Sequence, residues 1–585
     1  MQDHPKHPKK SRAKILLSSV FGPYAHDDEY GSRAINPMEL YHNQVTRFQG
    51  AFSLRMFHRS FGLMLIQSNI EAPCTLLDFP SLARFTEEIR TQEYDVVGIS
   101  AILPNIGKVA KMCALVRRYL PRATLVVGGH VTNKEGLEHL VDADHFVRGE
   151  GVAWFRNFLG QAPGAPVRHP MAYSAHGART LGIPLKEKPG GTAAILVPSV
   201  GCPVGCNFCS TSALFGGKGR FVNFYETGDD LFAVMEQLAR NLKVHSFFVL
   251  DENFLLHRKR ALRLLELMQT HGKSWSLYVF SSARVLQSYT IEQLIGLGVS
   301  WIWMGLEGRD SRYAKLKGVD TRALVQTLQS HGIRVLGSSI IGLEDHRPEE
   351  MQRIIEEAVG HAADFHQFML YTPIAGTPLY EKHRAEGTLL DDSAMDQADI
   401  HGQYRFNYRH PHLPAGDEER YLHQAFLRDF EINGPSLARL IRTELTGWIR
   451  YRAHPDRRVR ERIRREAESL GTTSVAAVWA MRRWYRHDPR MKGRLDRLFK
   501  DLIHAFGIRS RLFAPLAGRY IHKMMQREQR RLDAGWTYEP DTFYEKNPAA
   551  QALQAAPRQV DKPAPAEIFG KMHAVGAYLR SSPDR

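Results

Sequence analysis

The first 160 residues alternate short β-rich runs with helical patterns. The runs "AKILLSSV", "YDVVGISAIL" and "ATLVVGG" are apolar and rich in β-branched residues, and the helical pattern "IGKVAKMCALVRRYL" lies between the second and the third. A further short run, "VDADHFVRGEG", ends in glycine. This rhythm predicts an α/β domain over residues 1–165, with a doubly wound, Rossmann-like parallel sheet covered by helices.

A second β/α series follows a linker. Residues 166–190 are rich in Gly, Pro, Ala and His and lack periodicity, as a linker does. Residues 191–392 then contain the runs "AAILVPSV", "HSFFVLDENF", "SWSLYVFSSARV", "VSWIWMGLEG", "IRVLGSSIIGLE" and "DFHQFMLYTP", with helical stretches between them. These strand–helix units predict a partial (β/α)6 barrel, whose active site lies at the carboxyl ends of the strands.

The remaining residues, 393–585, have a helical pattern. From "DEERYLHQAFLRDFEING" to "MMQREQRRLDAGW", cations are mixed with Trp, Tyr, Leu and Ile. The segment near 547–566, within "NPAAQALQAAPRQVDKPAPAE", has the composition of a disordered region, and a short final helix follows it. We therefore expect a basic, mostly helical C-terminal region.

The net charge of the chain is +16, which favours anionic partners. Three interpretations of the basic helices remain open. They can cap the barrel with solvated cations, lie on an anionic membrane surface, or contact RNA phosphates. No RNA-binding module is recognisable, so nucleic acid ranks last.

The cysteine content and the length of the apolar runs indicate the cellular compartment of the protein. Five cysteines in 585 residues are too few for a disulfide framework, which favours a reducing compartment. The basic N-terminus has no apolar run typical of a signal peptide, and no stretch approaches the ~20 apolar residues of a membrane span. We expect a cytoplasmic protein, with peripheral association at the inner face of the membrane if the basic helices bind lipid.

Three of the five cysteines lie in one loop, "VGCPVGCNFCS", with the spacing C-x3-C-x2-C. Such a group of thiolates suits a soft metal centre. Structural zinc usually takes four ligands, and Cys74 and Cys113 are distant and isolated in the sequence. Three cysteines can instead hold three irons of a [4Fe–4S] cluster and leave the fourth iron open. A chance group of buried cysteines, or zinc, is the alternative.

This loop resembles the signature of the radical S-adenosylmethionine (SAM) superfamily, in which an aromatic residue, here Phe208, precedes the last cysteine. The resemblance implies that Cys202, Cys206 and Cys209 hold the cluster and that SAM chelates the open iron. It also implies that an electron, supplied by a donor such as flavodoxin or ferredoxin, cleaves SAM to a radical that abstracts hydrogen. The cofactor supplies the difficult chemistry and the barrel orients it.

Further motifs of the superfamily fall at the ends of later strands. "VLDENF", "FSSARV", "MGLEGRDS" and "GSSIIGLE" resemble the segments that surround SAM, with Arg309 a weaker candidate beside Glu307. Solvated acids in a strand-end turn are the alternative for the first motif. The resemblance implies SAM contacts from Phe208, Asp251, Glu252, Ser281, Ser282, Glu307, Ile340 and Gly342.

The first domain resembles the cobalamin-binding domain of the B12-dependent radical SAM branch, through "DVVGIS", "LVVGGHVT" and "VRGEG". The motif D-x-H-x-x-G, whose histidine binds cobalt in many cobalamin proteins, is absent. His130 is therefore expected to be a loop residue or a contact to the cofactor tail rather than a cobalt ligand. A domain that has lost its cofactor is the alternative. The resemblance implies cobalamin contacts from Leu103, Asn105, Gly128, Gly129, His130, Gly149 and Glu150.

These features lead to one main hypothesis of function. We predict a radical SAM enzyme, with a [4Fe–4S] cluster and cobalamin, that methylates an unactivated carbon of a small-molecule substrate, hydrophobic or lipid-like in character. A cyclisation, ring contraction or carbon–carbon coupling without methyl transfer is the first alternative. A non-catalytic iron–sulfur protein that binds lipid or RNA is the second. No residue is assigned as a catalytic acid or base.

Overall fold

The computed structural model describes residues 13–22, 30, 54–55, 58–174, 179–184, 189, 192–307, 316, 318–534 and 541–555. Among the sequence predictions, Arg309 and the segment 556–585 lie outside the described residues, as does part of the expected linker. The described chain forms two parallel sheets, each covered by helices, and a helical C-terminal region.

The first sheet confirms the predicted Rossmann-like architecture. Its parallel strands are β1 (Ile15–Ser19), β2 (Cys74–Asp78), β3 (Val96–Ser100), β4 (Thr124–Gly128) and β5 (His145–Val147). Their order is β2-β1-β3-β4-β5. Both faces are buried, which explains why these strands are continuous apolar runs rather than alternating ones. Strand β2 was missed from the sequence.

Helices cover both faces of this sheet. They are α1 (Phe61–Asn69), α2 (Leu82–Thr91), α3 (Ile106–Tyr119), α4 (Leu137–Leu140) and α5 (Gly151–Phe158). Local sequence sets their starts: the Ser81 hydroxyl accepts a hydrogen bond from the backbone N–H of Arg84, for example. Helices α1 and α5 pack together on one face, next to the glycine-rich strand ends.

The second sheet confirms the predicted partial barrel. Its strands are β6 (Ala193–Leu196), β7 (Ser246–Val249), β8 (Ser276–Phe280), β9 (Val299–Gly305), β10 (Arg334–Ile341) and β11 (Phe365–Leu370). They pair in parallel in chain order, and β6 and β11 are the two edges of this six-stranded sheet. A two-residue ladder, Ser199–Val200 with Val222–Asn223, closes the cysteine loop at its base.

Helices follow the strands of the barrel. They are α6 (Ser210–Leu214), α7 (Gly228–Leu242), α8 (Arg258–Thr270), α9 (Ala283–Leu286), α10 (Ile291–Leu297), α11 (Thr321–Ser330), α12 (Met351–Val359) and α13 (Pro378–Ala385). Their apolar faces bury Leu231, Met235 and Leu264 against the outside of the sheet. Capping boxes at Thr227 and Thr290 begin two of them.

The C-terminal region is helical, as predicted. It contains α14 (Asp417–Asn433), α15 (Ser436–Tyr451), α16 (Arg457–Glu466), α17 (Val475–Trp484) and α18 (Pro489–Asp533), in which Gly507 breaks the helix with φ 78° and ψ −164°. No helix of the described residues is long and apolar enough to cross a membrane. A strand, β12 (Phe543–Lys546), then pairs antiparallel with β2 at the edge of the first sheet.

The predicted disorder of the segment near 547–566 is wrong for the first residues of that segment. Residues Pro548–Ala555 form a helix, α19, whose first turn is capped by the Asn547 side chain through the backbone N–H of Ala550. The physical reason is the contact of this segment with the first sheet, which the composition of the segment does not reveal. A small antiparallel sheet lies partly in the expected linker. In it, Arg179–Thr180 pairs on one side with Leu54–Arg55 and on the other with Ile183–Pro184.

Candidate functional site

The path of the cysteine loop requires glycine at two positions. Gly201 and Gly205 have φ values of 86° and 64°. A Cβ on Gly205 would lie 2.5 Å from the Cα of Lys218, and one on Gly201 would lie 2.7 Å from the Cβ of Phe215. These close approaches fold residues 201–219 into a compact loop at the carboxyl end of β6.

The three cysteines of this loop are half-buried thiols. Cys209 begins α6, and its Sγ accepts a hydrogen bond from the backbone N–H of Ser212 at 3.4 Å. The Ser212 hydroxyl donates to the carbonyl of Cys202 at 2.9 Å, which ties the two ends of the motif together. Burial raises the pKa of the Cys202 thiol to about 11, with Cys206, Cys209 and Glu252 acting in the same direction.

These thiols fit a polynuclear cluster better than a single ion. Within the described residues, no three His, Cys, Asp or Glu side chains are placed to hold one metal ion. A [4Fe–4S] cluster makes a different demand, because each cysteine binds a separate iron. The five cysteines form no disulfide, so all three thiols of the loop are available as ligands. Binding of iron would displace their protons, since metal ligation deprotonates thiols.

Phe208, the aromatic residue of the cysteine motif, packs against Tyr371, which directly follows the last barrel strand, β11. The rings of Phe208 and Tyr371 meet edge-on, with centroids 6.0 Å apart, in a cluster that also includes Ile340. The Asn207 side chain donates to the Tyr371 hydroxyl at 2.9 Å. Two predicted SAM contacts, Phe208 and Ile340, are therefore neighbours. Tyr371 and Asn207 were missed, because neither belongs to a recognised motif position.

Gly342 has a structural reason to be glycine. Its φ is 75°, and a Cβ there would lie 2.3 Å from the Cζ of Phe406. It turns the chain at the end of β10, next to Ile340. The predicted SAM contact at Gly342 is thus a backbone position whose conformation and packing both exclude a side chain.

The two adjacent acids after β7 have different environments. Asp251 is buried; its Oδ2 accepts hydrogen bonds from the Ser199 hydroxyl at 2.5 Å and from Arg260 at 2.6 Å, and its Oδ1 accepts from the N–H of Asn253. These partners occupy its carboxylate. Asp251 therefore positions the loop, although the sequence motif made it a candidate for direct contact with SAM.

Glu252 faces the cysteine loop. The backbone N–H of Gly201 bonds to its carboxylate, and its Oε2 is buried without a hydrogen-bond partner in the described part of the chain. Burial raises the pKa of Glu252 to about 7, with the charge of Asp251 in the same direction. A buried acceptor without a partner is costly, so this oxygen fits a cationic or N–H donor such as an amino group.

The side chain of Asn253 connects the ends of β7 and β8. Its Oδ1 accepts hydrogen bonds from the Ser281 hydroxyl at 3.3 Å and from the backbone N–H of Ser282 at 3.1 Å, and its Nδ2 donates to the Ser282 hydroxyl. This network brings the predicted serines together at one edge. Glu307, the third acid among the predicted SAM contacts, is buried two residues after the end of β9.

A cavity of about 290 Å³ lies between the first domain and the barrel. The first sheet contributes the glycine-rich ends of β3 to β5, and the barrel contributes Val200, Leu214, Phe215 and Phe224. Five predicted cobalamin contacts line it: Gly128, Gly129, His130, Gly149 and Glu150. The other two, Leu103 and Asn105, are buried in a neighbouring turn and are not among the lining residues.

Two glycines of this cavity, Gly62 and Gly128, leave room for a ligand. A Cβ on Gly62 would meet no described atom within 4 Å, and one on Gly128 would meet only the carbonyl oxygen of Val147, at 3.8 Å. Gly62 is the second residue of helix α1, and the open space beside it shows that packing does not require glycine at this position. At Gly62 and Gly128 the cavity thus holds open space that a side chain would fill, which suits contact with one face of a larger cofactor.

His130 and Glu150 each have a defined contact at this cavity. The Nε2 of His130 lies 3.4 Å from the hydroxyl of Thr211, the second residue of α6, and burial lowers the pKa of His130. The Glu150 carboxylate caps α5 by accepting from the backbone N–H groups of Val152 and Ala153. The contact through His130 brings the first domain directly against the cysteine loop.

A row of aromatic rings lines the inner face of the barrel. Phe248, Phe280 and Trp303, on β7, β8 and β9, stack in sequence, with centroid distances of 5.8 Å and 4.9 Å. The row continues as hydrogen bonds: Trp303 Nε1 donates to the Ser338 hydroxyl at 2.8 Å, and that hydroxyl donates to Gln367 at 3.0 Å. These side chains are half-buried, so part of each remains accessible.

Two family models match the two sheets. Residues 53–159 match the model of the B12 binding domain, and residues 196–358 match that of the radical SAM superfamily. The chain therefore carries a B12-binding domain followed by a radical SAM domain, whose cofactors are cobalamin, a [4Fe–4S] cluster and SAM.

Three similar proteins indicate the range of relatives. The chain is 28% identical over 204 residues to an uncharacterised methyltransferase of Pyrococcus horikoshii, covering 34% of this chain and 43% of that protein. It is 29% identical over 194 residues to bacteriochlorophyllide d C-12(1)-methyltransferase of Chlorobaculum tepidum, covering 32% and 42%. It is 23% identical over 386 residues to anaerobic magnesium-protoporphyrin IX monomethyl ester cyclase of Rubrivivax gelatinosus, covering 55% and 66%. The chain thus spans less than half the length of the two methyltransferases.

Proposed function

We propose that this chain, in which a B12-binding domain precedes a radical SAM domain, is a cobalamin-dependent methyltransferase that acts on an unactivated carbon. The observation that carries the proposal is the cavity between the two sheets. It is lined by the glycine-rich strand ends on one side and by α6, which begins at Cys209, on the other. Cofactors held at these two edges would be neighbours, as methyl transfer to a substrate between them requires.

Different residues of the barrel would bind the cluster and SAM. Cys202, Cys206 and Cys209 would ligate the cluster, and the unpartnered Oε2 of Glu252 would accept a hydrogen bond from the SAM amino group. Ser282 and Glu307 lie at the neighbouring strand ends. When bound, the cluster and SAM supply a radical that abstracts hydrogen, and cobalamin supplies the methyl group. The apolar lining excludes water from this chemistry.

The aromatic row suggests a flat, hydrophobic substrate. The accessible edges of the stacked rings offer an aromatic surface to a conjugated or polycyclic ring system, and the Ser338–Gln367 pair at the end of the row offers polar contacts to an edge substituent. The substrates named for two relatives, a bacteriochlorophyllide and a magnesium protoporphyrin ester, are large ring systems. We therefore propose a flat ring system rather than a linear lipid as the substrate class.

Ring formation without methyl transfer is the second candidate function. The match to the cyclase covers 55% of this chain, more than the 32% and 34% covered by the matches to the two methyltransferases. The same barrel would generate the same radical, and the two reactions would differ in what happens to the substrate carbon afterwards.

Anaerobic reconstitution tests the reaction. The wild-type protein, supplied with iron, sulfide and hydroxocobalamin, is expected to bind about four irons and one cobalamin per chain. With reduced flavodoxin, SAM and a panel of ring compounds, it is expected to form 5′-deoxyadenosine, S-adenosylhomocysteine and a substrate heavier by one methylene group. Mass spectrometry measures all three products.

Two cysteine variants supply the matched comparison. Cys206→Ala is expected to lose cluster binding and SAM cleavage, whereas Cys113→Ala, in the core of the first domain, keeps both. Full turnover by Cys206→Ala would refute the radical SAM assignment. Formation of 5′-deoxyadenosine without S-adenosylhomocysteine would establish the second candidate function in place of the first.

Substitution of Trp303 tests the substrate class. Trp303→Leu is expected to weaken the binding of a metal-free porphyrin by about fivefold, because the stacking surface is lost, whereas Trp303→Phe keeps it within about twofold. Equilibrium dialysis against the porphyrin and a linear acyl lipid of similar carbon number measures both affinities. Equal porphyrin affinities for the Leu and Phe variants, or tighter binding of the linear lipid, would contradict a flat substrate.

A further inference from the structure

The second half of α18 carries an unusual surface. Ten large apolar side chains of the described chain are exposed, and five of them lie within residues 508–520. This segment begins immediately after the break at Gly507, so its direction is independent of the first half of the helix. We call its exposed apolar residues the apolar stripe: Ile508, Leu512, Phe513, Leu516 and Tyr520.

The opposite face of this segment is firmly packed. Ser510, Ala514, Ile521 and Met525 are buried, at the spacing of one helical face, in the core formed with α17. A Cβ on Gly518 would lie 2.5 Å from Trp479, which shows how closely the two helices approach. The packing fixes the orientation of the segment and leaves the apolar stripe directed away from the protein.

The apolar stripe is both large and continuous. Ile508, Leu512, Leu516 and Tyr520 follow each other at four-residue intervals, which places them on one line along the helix. Leu512 and Leu516 expose 66% and 69% of their surface. Scattered exposed apolar residues are common on proteins, whereas a contiguous line of this kind marks an interaction site.

Cations alone flank the apolar stripe. The sequence from residue 502 to residue 527 contains no Asp or Glu. Five exposed cations belong to this segment: Arg509, Arg511, Arg519, Lys523 and Arg527. A second copy of the same surface would bring these charges against each other, so self-association is disfavoured. RNA would match the charge and could stack on Phe513 and Tyr520, but the three aliphatic side chains, Ile508, Leu512 and Leu516, offer bases no stacking surface and suit a lipid phase better.

We infer that this surface docks on an anionic lipid membrane. The apolar stripe enters the head-group region, and the surrounding arginines and Lys523 bind lipid phosphates, in the manner of an amphipathic interfacial helix. The inference rests on the C-terminal helices alone and is independent of the reaction proposed above. It assigns membrane contact to one face of α18 rather than to the basic region as a whole.

Vesicle co-sedimentation of the full chain tests this inference. Wild type is expected to bind phosphatidylglycerol-containing vesicles, to bind pure phosphatidylcholine vesicles more weakly, and to lose affinity as salt is raised. The variant Leu512→Gln/Leu516→Gln is expected to bind anionic vesicles roughly tenfold more weakly, because two inserted side chains are lost. The control Leu427→Gln/Ile449→Gln changes exposed apolar residues elsewhere and keeps wild-type binding.

Three outcomes would overturn the inference. Equal vesicle binding by the wild type and the Leu512→Gln/Leu516→Gln variant would remove the apolar stripe from lipid contact. A lipid-free dimer that dissociates in this variant, seen by sedimentation velocity, would assign the stripe to a second copy. Binding of single-stranded RNA that competes with vesicles and survives the leucine changes would assign the cations to nucleic acid. Circular dichroism and iron content confirm that each variant is folded.

Discussion

At the scale of single residues, two neighbouring acids of one motif separate into different roles. Asp251 forms an ion pair with Arg260 in which both side chains are at most 3% exposed, and Glu252 keeps a buried oxygen for another donor. A buried charge needs its partner, because desolvation is not recovered otherwise. The first acid therefore holds the loop and the second is available to a ligand.

This division predicts that a conservative change at Asp251 affects stability, whereas one at Glu252 affects SAM binding. Asp251→Asn is expected to lower the free energy of unfolding by about 3 kcal/mol, because it leaves the Arg260 guanidinium buried without a counter-charge. Glu252→Gln is expected to leave stability unchanged within about 0.5 kcal/mol and to weaken SAM binding. Urea unfolding and equilibrium dialysis with SAM measure the two quantities.

The double variant Asp251→Asn/Arg260→Met completes the comparison. Removal of both charges is expected to recover part of the stability lost in Asp251→Asn. Equal stability losses in Asp251→Asn and Glu252→Gln would show that the two acids share one role, contrary to this assignment.

At the scale of elements, the last described strand completes the first sheet. β12 pairs with β2 across more than four hundred residues of sequence, with Phe543 opposite Asp78. The Asn547 side chain then accepts from the N–H of Cys74 at 3.0 Å and donates to the carbonyl of Ala72 at 2.9 Å. The pairing covers the edge of β2, which would otherwise be open to association with another chain.

Asn547→Ala is expected to loosen this edge. Two buried backbone groups lose their partners, which costs about 2 kcal/mol in the unfolding of the first domain. Hydrogen exchange is expected to rise at the amides of Cys74–Asp78. The control Gln551→Ala removes one exposed hydrogen bond, to the carbonyl of Lys546, and is expected to change neither quantity. Unchanged exchange in Asn547→Ala would mean that β12 does not stabilise β2.

At the scale of the whole molecule, the basic region divides into two parts that differ in the exposure of their cations and apolar residues. Helices α14 to α16 pack against the barrel, where Arg439 pairs with Asp429 and Arg334 of β10 pairs with Glu444. Their cations are therefore not all available to an external partner. The exposed cations and apolar residues concentrate instead on α18. Capping of the barrel, one of the alternatives that the sequence left open, is thus observed for α14 to α16, and surface binding stays a proposal for α18.

The site itself is also a property of the whole molecule. The cavity is lined by both sheets, and His130 of the first meets Thr211 of the second. Leu103 and Asn105 follow a strand of the first sheet and lie in a turn beside the cavity rather than in its lining, so their contact with cobalamin stays a prediction.

The sequence by itself determined the two β/α series and the cysteine loop. The strands of the barrel were all visible as apolar runs, because burial on a parallel sheet leaves a local pattern. The spacing of the cysteines and glycines is likewise local, since one loop carries them all. These features depend on residues that are close in the chain, so they can be recognised without knowing what packs against them.

Only the tertiary structure decided the roles and the burial of residues that are equivalent in the sequence pattern. The difference between Asp251 and Glu252 comes from Ser199 and Arg260, and the strand character of Phe543–Lys546 comes from β2. The exposure of Leu516 and the burial of Arg439 reverse what their polarity suggests. The deciding partners lie on other elements, from 9 residues away for Asp251–Arg260 to 52 for Asp251–Ser199 and more than four hundred for β12–β2. The side-chain composition of one segment carries no information about such partners.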